Sequence, residues 1–148
     1  MKIKIDIDDG LDEPEVLIRT PHLDAQIQAL QAFLSQSQAT PLVFYQDSRE
    51  FFLDVMTILF FETQGTKVFA HSQEDSYEVH LKLYELEERL PTYFCRVAKS
   101  TIVNCKAIYS LDRSFSGTST VSFHQTHKQV HVSRHYYQLL KERLREVR

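Results

Sequence analysis

Residues 94–104 read FCRVAKSTIVN. Phe94, Val97, Ile102 and Val103 suit a buried β-segment, yet Arg96, Lys99, Ser100 and Asn104 interrupt it with polar groups. Such groups are costly to bury unless something pairs with them. No carboxylate lies between Leu90 and Asp112 to do so. The stretch therefore reads as strand, turn, strand, and it asks which partner its cations meet.

The charge of the whole chain frames that question. The net charge is −3, but it is unevenly spread. Residues 1–91 carry 7 Lys and Arg against 17 Asp and Glu, while residues 92–148 carry 10 against 3. Asymmetry of this kind accompanies polyanion binding by one part of a chain. The competing reading is mutual attraction of the two parts, and charge counts leave both open. At 148 residues and 43% apolar composition the sequence is globular, with no apolar run near 18 residues. MKIKIDIDDG, residues 1–10, alternates and is acidic, unlike a signal peptide. Two cysteines without such a signal point to a reduced, cytoplasmic setting.

Outward from residues 94–104 the pattern is mainly β with short helices. Ile3, Ile5 and Ile7 predict a period-two strand, and Val16–Ile18 a second. Thr20-Pro21 predicts a helix start, with Leu23, Ile27, Leu30 and Leu34 as its apolar stripe. SQSQATP, residues 35–41, is linker-like, so residues 1–41 are expected to form a small α/β extension and 42–148 the main domain. PLVFY, EFFLDVMTILFFE and TKVFAH read as strands, and TQG and SQEDS as turns. Leu83, Leu86 and Leu90 space as a short helix stopped by Pro91. Tyr93–Val97, Ile102-Val103, Ala107–Leu111, Thr118–Phe123 and Gln129–Val132 are strand candidates, with RSFSGTS and QTHK as loops. An amphipathic helix closes the chain from Arg134, after Ser133 in the N-cap position.

Three constellations could carry chemistry. No hydrolase, metalloprotease, phosphate-loop or dinucleotide pattern is present, so an enzyme is not expected and no cofactor is implied. Cys95 and Cys105 sit among apolar residues, where a thiol is a small hydrophobe. His124, His127, His131 and His135 have ligand-like spacing, but a hairpin over 118–132 splits them between a face and a turn. A zinc site there, or a redox sensor at the cysteines, is the weaker alternative. Finally, Arg134 and His135 at a helix start add positive charge to a positive dipole end, which makes sense if an anion sits there. The alternative is an Arg134 that reaches back to a carboxylate of the acidic part.

These motifs, taken in order, resemble the LytTR DNA-binding domain of bacterial transcription regulators. FCRVAKSTIVN is similar to the family pattern F-x-R-x-H-[RK]-S-x-I-V-N, and VSRHYYQLL to its S-R-x-Y-x-x-x-L. ILFFETQGTKVFAH, residues 58–71, is similar to its opening strands. Ala98 stands where that pattern has His. The resemblance implies an elongated β fold that places loops, not a recognition helix, into the major groove of duplex DNA. It implies DNA contacts from Thr66 and Lys67, from Lys99 and Ser100, and from Arg134 and His135. It further implies direct-repeat sites, a homodimer, and in stand-alone regulators a membrane-protein inhibitor that makes DNA binding conditional on release. No receiver domain fits in residues 1–41.

Overall fold

The computed structural model describes residues 1–37, 42–113 and 118–147. Two compact units divide the chain, Met1–Ser35 and Gln36–Arg148. In the first, the one regular element among the described residues is a helix, α1 (Ala25–Ser37), which runs just past the boundary. It begins four residues later than Thr20-Pro21 predicts. The Asp24 carboxylate accepts the Ile27 N–H at 3.0 Å, and a charged cap complements the helix start better than a hydroxyl. Thr20 instead closes a local turn, donating to the His22 carbonyl at 2.7 Å. Neither Ile3–Ile7 nor Val16–Ile18 joins a ladder, so the expected α/β character of this segment is not met. Period-two patterning states a preference, but a strand needs a second backbone to bond. The linker residues 38–41 lie outside the described residues.

The second unit is mainly β. Its first strands are β1 (Phe44–Gln46), β2 (Arg49–Phe51), β3 (Phe60–Gln64), β4 (Lys67–His71) and β5 (Ser76–Val79). After α2 (Leu83–Arg89) come β6 (Phe94–Ala98), β7 (Thr101–Asn104), β8 (Ile108–Arg113), β9 (Ser119–Phe123) and β10 (Gln129–Val132), then α3 (Arg134–Glu146). A large sheet has the order β2-β1-β5-β4-β3-β7-β6, and a small one β10-β9-β8. All pairs are antiparallel. The predicted strand over 50–62 is broken because the Asp54 carboxylate accepts the Met56 N–H at 3.0 Å and caps a 3-10 turn, Val55–Thr57. β5 escapes the sequence reading because only Tyr77 and Val79 mark its buried side.

Alternation explains residues 94–104. The large sheet is covered on both faces, so neighbouring residues of one strand enter different cores. Phe61, Phe94 and Ile102 pack with Leu83 and Leu86 of α2. Phe60, Cys95, Val97 and Val103 pack with Val121, Phe123, Val130 and Val132 of the small sheet and Leu140 of α3. Each fully buried side chain of this size contributes about 1.5–3 kcal/mol. Asn104 is buried between the layers and fully used. Its amide donates to the Ile58 carbonyl at 3.0 Å and to that of Met56 at 3.3 Å, while its oxygen accepts the Lys106 N–H at 3.0 Å.

At the end where β4 leads to β5, the small sheet is pinned to the large one. The Lys128 ammonium donates to the Ser72 and Asp75 carbonyls, both at 2.8 Å, and the Thr126 hydroxyl to that of Gln73 at 3.0 Å. His71 is stacked on Phe60 with centroids 4.4 Å apart, its Nε2 lying 2.8 Å from the Glu62 carboxylate. Burial nonetheless holds its pKa below the ordinary 6.5, and Lys128 pushes the same way against the pull of Glu62.

Two outcomes follow. Asn104→Ala strands a buried carbonyl and N–H and should lower unfolding free energy by about 2–3 kcal/mol in urea titration. Because folded His71 binds fewer protons than unfolded His71, its contribution is intact above pH 6.5 and declines as pH falls below that value. His71→Gln should flatten the loss of stability measured between about pH 7.5 and about pH 5.5.

Candidate nucleic-acid interface

The turn between β6 and β7 is built around Arg96. Its register opposite Ile102 puts the side chain on the α2 face, where a guanidinium N–H donates to the Glu87 carboxylate. The same group donates to the Ala98 carbonyl at 2.9 Å and to the Lys99 carbonyl, across a β-bulge between Arg96 and Ala98. A planar fork with five donors can hold three acceptors at once, as an ammonium cannot. Thus the cation that seemed unpaired in the sequence is met by an acid from the preceding helix. Lys99 and Ser100 are left exposed at the tip. Among the described residues no carboxylate pairs with the Lys99 ammonium.

Two backbone hydrogen bonds set other segments beside this tip. The Thr63 N–H donates to the Ser100 carbonyl at 2.9 Å, bringing the β3–β4 turn alongside. That turn has two residues, Gly65 and Thr66, between the paired Gln64 and Lys67. Gly65 has φ +64°, which its missing Cβ permits. Thr66 and Lys67 are exposed, and Lys67 is 3.9 Å from Glu78, a surface contact worth little. On the other side the Ser133 N–H donates to the Val97 carbonyl at 2.8 Å, which seats the start of α3 against β6.

The first turn of α3 holds no acidic residue. Arg134 and His135 are exposed there, with His135 edge-on to Tyr136 at 4.8 Å. Ser133 occupies the N-cap position with φ −72° and ψ 155°, but makes no capping hydrogen bond. Among the described residues its buried hydroxyl has no partner. The six residues suggested by sequence therefore fall on three segments linked in series through β3, β7 and β6. Two basic residues the sequence reading passed over lie against Tyr137 of α3: Arg113 over its ring at 5.5 Å and Lys141 at 5.8 Å. Lys141 follows Arg134 by seven residues on α3, two helical turns, which was available as a signal.

The alternative constellations are dispersed or buried. His124 lies edge-on to Tyr109 at 4.9 Å, His131 has Nδ1 3.5 Å from the Thr120 hydroxyl, and His135 belongs to α3. No group of three or more His, Cys, Asp or Glu among the described residues could hold a metal ion. Cys95 and Cys105 are free and buried, and the Cys95 thiol donates to the Arg96 carbonyl at 3.5 Å. The neighbouring Cys95 thiol and burial push the Cys105 thiol up.

Residues 48–145 match the LytTr DNA-binding domain family. A transcriptional regulator of Staphylococcus aureus strain NCTC 8325, described as HTH-type and uncharacterized, is 29% identical over 145 residues, covering 97% of this chain and 98% of that protein. A relative of the same description in strain RF122 is 28% identical over the same shares. Among solved structures, a LytTr DNA-binding domain from Bacillus cereus superposes with a TM-score of 0.64 at 21% identity, covering 72% of this chain and 98% of that one. No helix among the described residues is long and apolar enough to cross a membrane.

Removing the Arg96 fork should loosen the tip. Arg96→Ala is expected to cost about 1–3 kcal/mol in chemical denaturation and to speed amide exchange at Ser100. Glu87→Gln should cost less, because the Ala98 and Lys99 carbonyls keep their donor.

Proposed function

Because the chain belongs to the LytTr DNA-binding domain family of transcription regulators, we propose that it binds duplex DNA with three adjoining turns. The observation that carries this is the convergence of the β3–β4 turn, the β6–β7 turn and the start of α3 through the Thr63–Ser100 and Ser133–Val97 hydrogen bonds. Thr66 and Lys67, Lys99 and Ser100, and Arg134 and His135 are the contacting residues in this reading. The start of α3 suits a phosphate, since helix N–H groups and the dipole favour an anion there and its first turn holds no acidic residue. Lys99 and Arg134 have the chemistry to grip guanine O6 and N7.

A helix inserted in the groove is not part of the reading. α2 and α3 are separated by five strands among the described residues, so they form no helix-turn-helix pair. The small number of base-reading side chains per protomer favours paired protomers on direct repeats, each contributing one set of turns. The protein regulates transcription by occupying such a site.

Affinity should fall linearly in log–log against salt, since phosphate contacts release counterions. In gel shifts on the promoter region of its own gene, Arg134→Ala should weaken binding by about 10–100-fold, with a smaller loss on random duplex. Equal losses on both would reduce Arg134 to a phosphate contact and remove base reading from the proposal.

A further inference from the structure

The first unit leaves many of its apolar side chains in water. Ile3, Ile5 and Ile7 are 83%, 85% and 92% exposed, in a segment whose alternation fits a strand but which bonds to no strand within the unit. Extended, residues 3–7 put all three isoleucines on one side as an unpartnered face, and exposed strand edges seek a second backbone. The polar residues between them say which backbone fits. Lys2 and Lys4 precede Asp6 and Asp8, so the segment is basic at its start and acidic at its end.

We infer that residues 2–8 pair antiparallel with the same residues of a second copy, in a ladder centred on Ile5. In this register Ile5 faces Ile5 and Ile3 faces Ile7 on one side. On the other, Lys4 faces Asp6 and Lys2 faces Asp8. Side chains directly opposite in an antiparallel pair are close enough for both kinds of contact to count. Other arrangements do worse. Moving the centre one residue along either way puts Lys4 opposite Lys4 or Asp6 opposite Asp6. Parallel pairing in register sets every charge against its like. A register with an odd offset puts isoleucines opposite charges. The ladder ends where Asp8 turns the chain, its carboxylate accepting the Gly10 N–H at 2.9 Å. The pairing is isologous, so it closes at two copies.

The pairing goes beyond the proposed function: it joins two first units about a two-fold axis and needs no DNA contact. Sedimentation equilibrium of the full chain should show a dimer. Lys4→Glu places acid against acid twice in the ladder and should raise the dimer dissociation constant about tenfold or more. Adding Asp6→Lys to the same chain restores opposite charges and should bring the constant back. A wild-type chain that stays monomeric, a dimer indifferent to Lys4→Glu, or a double variant no tighter than the single one overturns the ladder. Gel shifts with the Lys4→Glu variant separate the two ideas: binding to a single half-site retained by a monomer leaves the DNA reading standing, and an intact dimer that shifts no DNA sinks that reading alone.

Discussion

The side chain of Arg96 is where fold and candidate interface meet. It stands on the α2 face of β6, opposite Ile102, on the side of the sheet where Phe61, Phe94 and Ile102 pack. A guanidinium there is tolerable because each direction of its fork is answered: by Glu87 of α2 and by the Ala98 and Lys99 carbonyls. The same three bonds fix the bulged turn that presents Lys99 and Ser100. A cost of desolvation is thereby offset by the ordering of a surface loop, and the loop inherits the rigidity of the sheet.

The two ends of the main unit are treated differently. Where β4 meets β5, main-chain carbonyls absorb the Lys128 charge and the small sheet is pinned down. At the opposite end, cationic side chains stand on turns whose backbones are bonded to their neighbours. This bears on the charge asymmetry of the sequence. Arg96–Glu87 joins the acidic and basic parts, while Lys67–Glu78 and Arg143–Glu146 stay within their own. Arg143 is further occupied by the Thr92 carbonyl, so the basic part contains structural cations beside those that face solvent.

Much of the main unit was legible because its strands obey simple alternation and its helices have clear stops. α2 ends before Pro91, and α3 starts at Arg134 as Ser133 suggested. Position, however, did not reveal mechanism: the Ser133 hydroxyl caps nothing, its N–H serving β6 instead. Asp54 was invisible as a strand breaker, since one acid in EFFLDVMTILFFE looks like an outward residue of a long strand. β5 was too short to show a period. The isoleucines of residues 3–7 show the opposite failure, a strong pattern with no ladder inside one chain. As for the candidate interface, the motifs marked three separate turns, but the adjacency of those turns depends on β3, β7 and β6 being neighbours, a long-range fact that local spacing does not encode.

β7 is four residues long and every one is buried, with Ile102 and Val103 committed to separate cores. A slip of one residue would exchange them and drag Asn104 out of its carbonyl cradle, so the register is locked from both sides. Thr66 and Ser100 sit just outside that lock. In the proposed reading, exchanging either for a longer amide side chain alters what a groove encounters while leaving each packed methyl in place. Surface recognition and interior volume are in this sense separately adjustable, and a change of preferred sequence need not pass through a less stable protein.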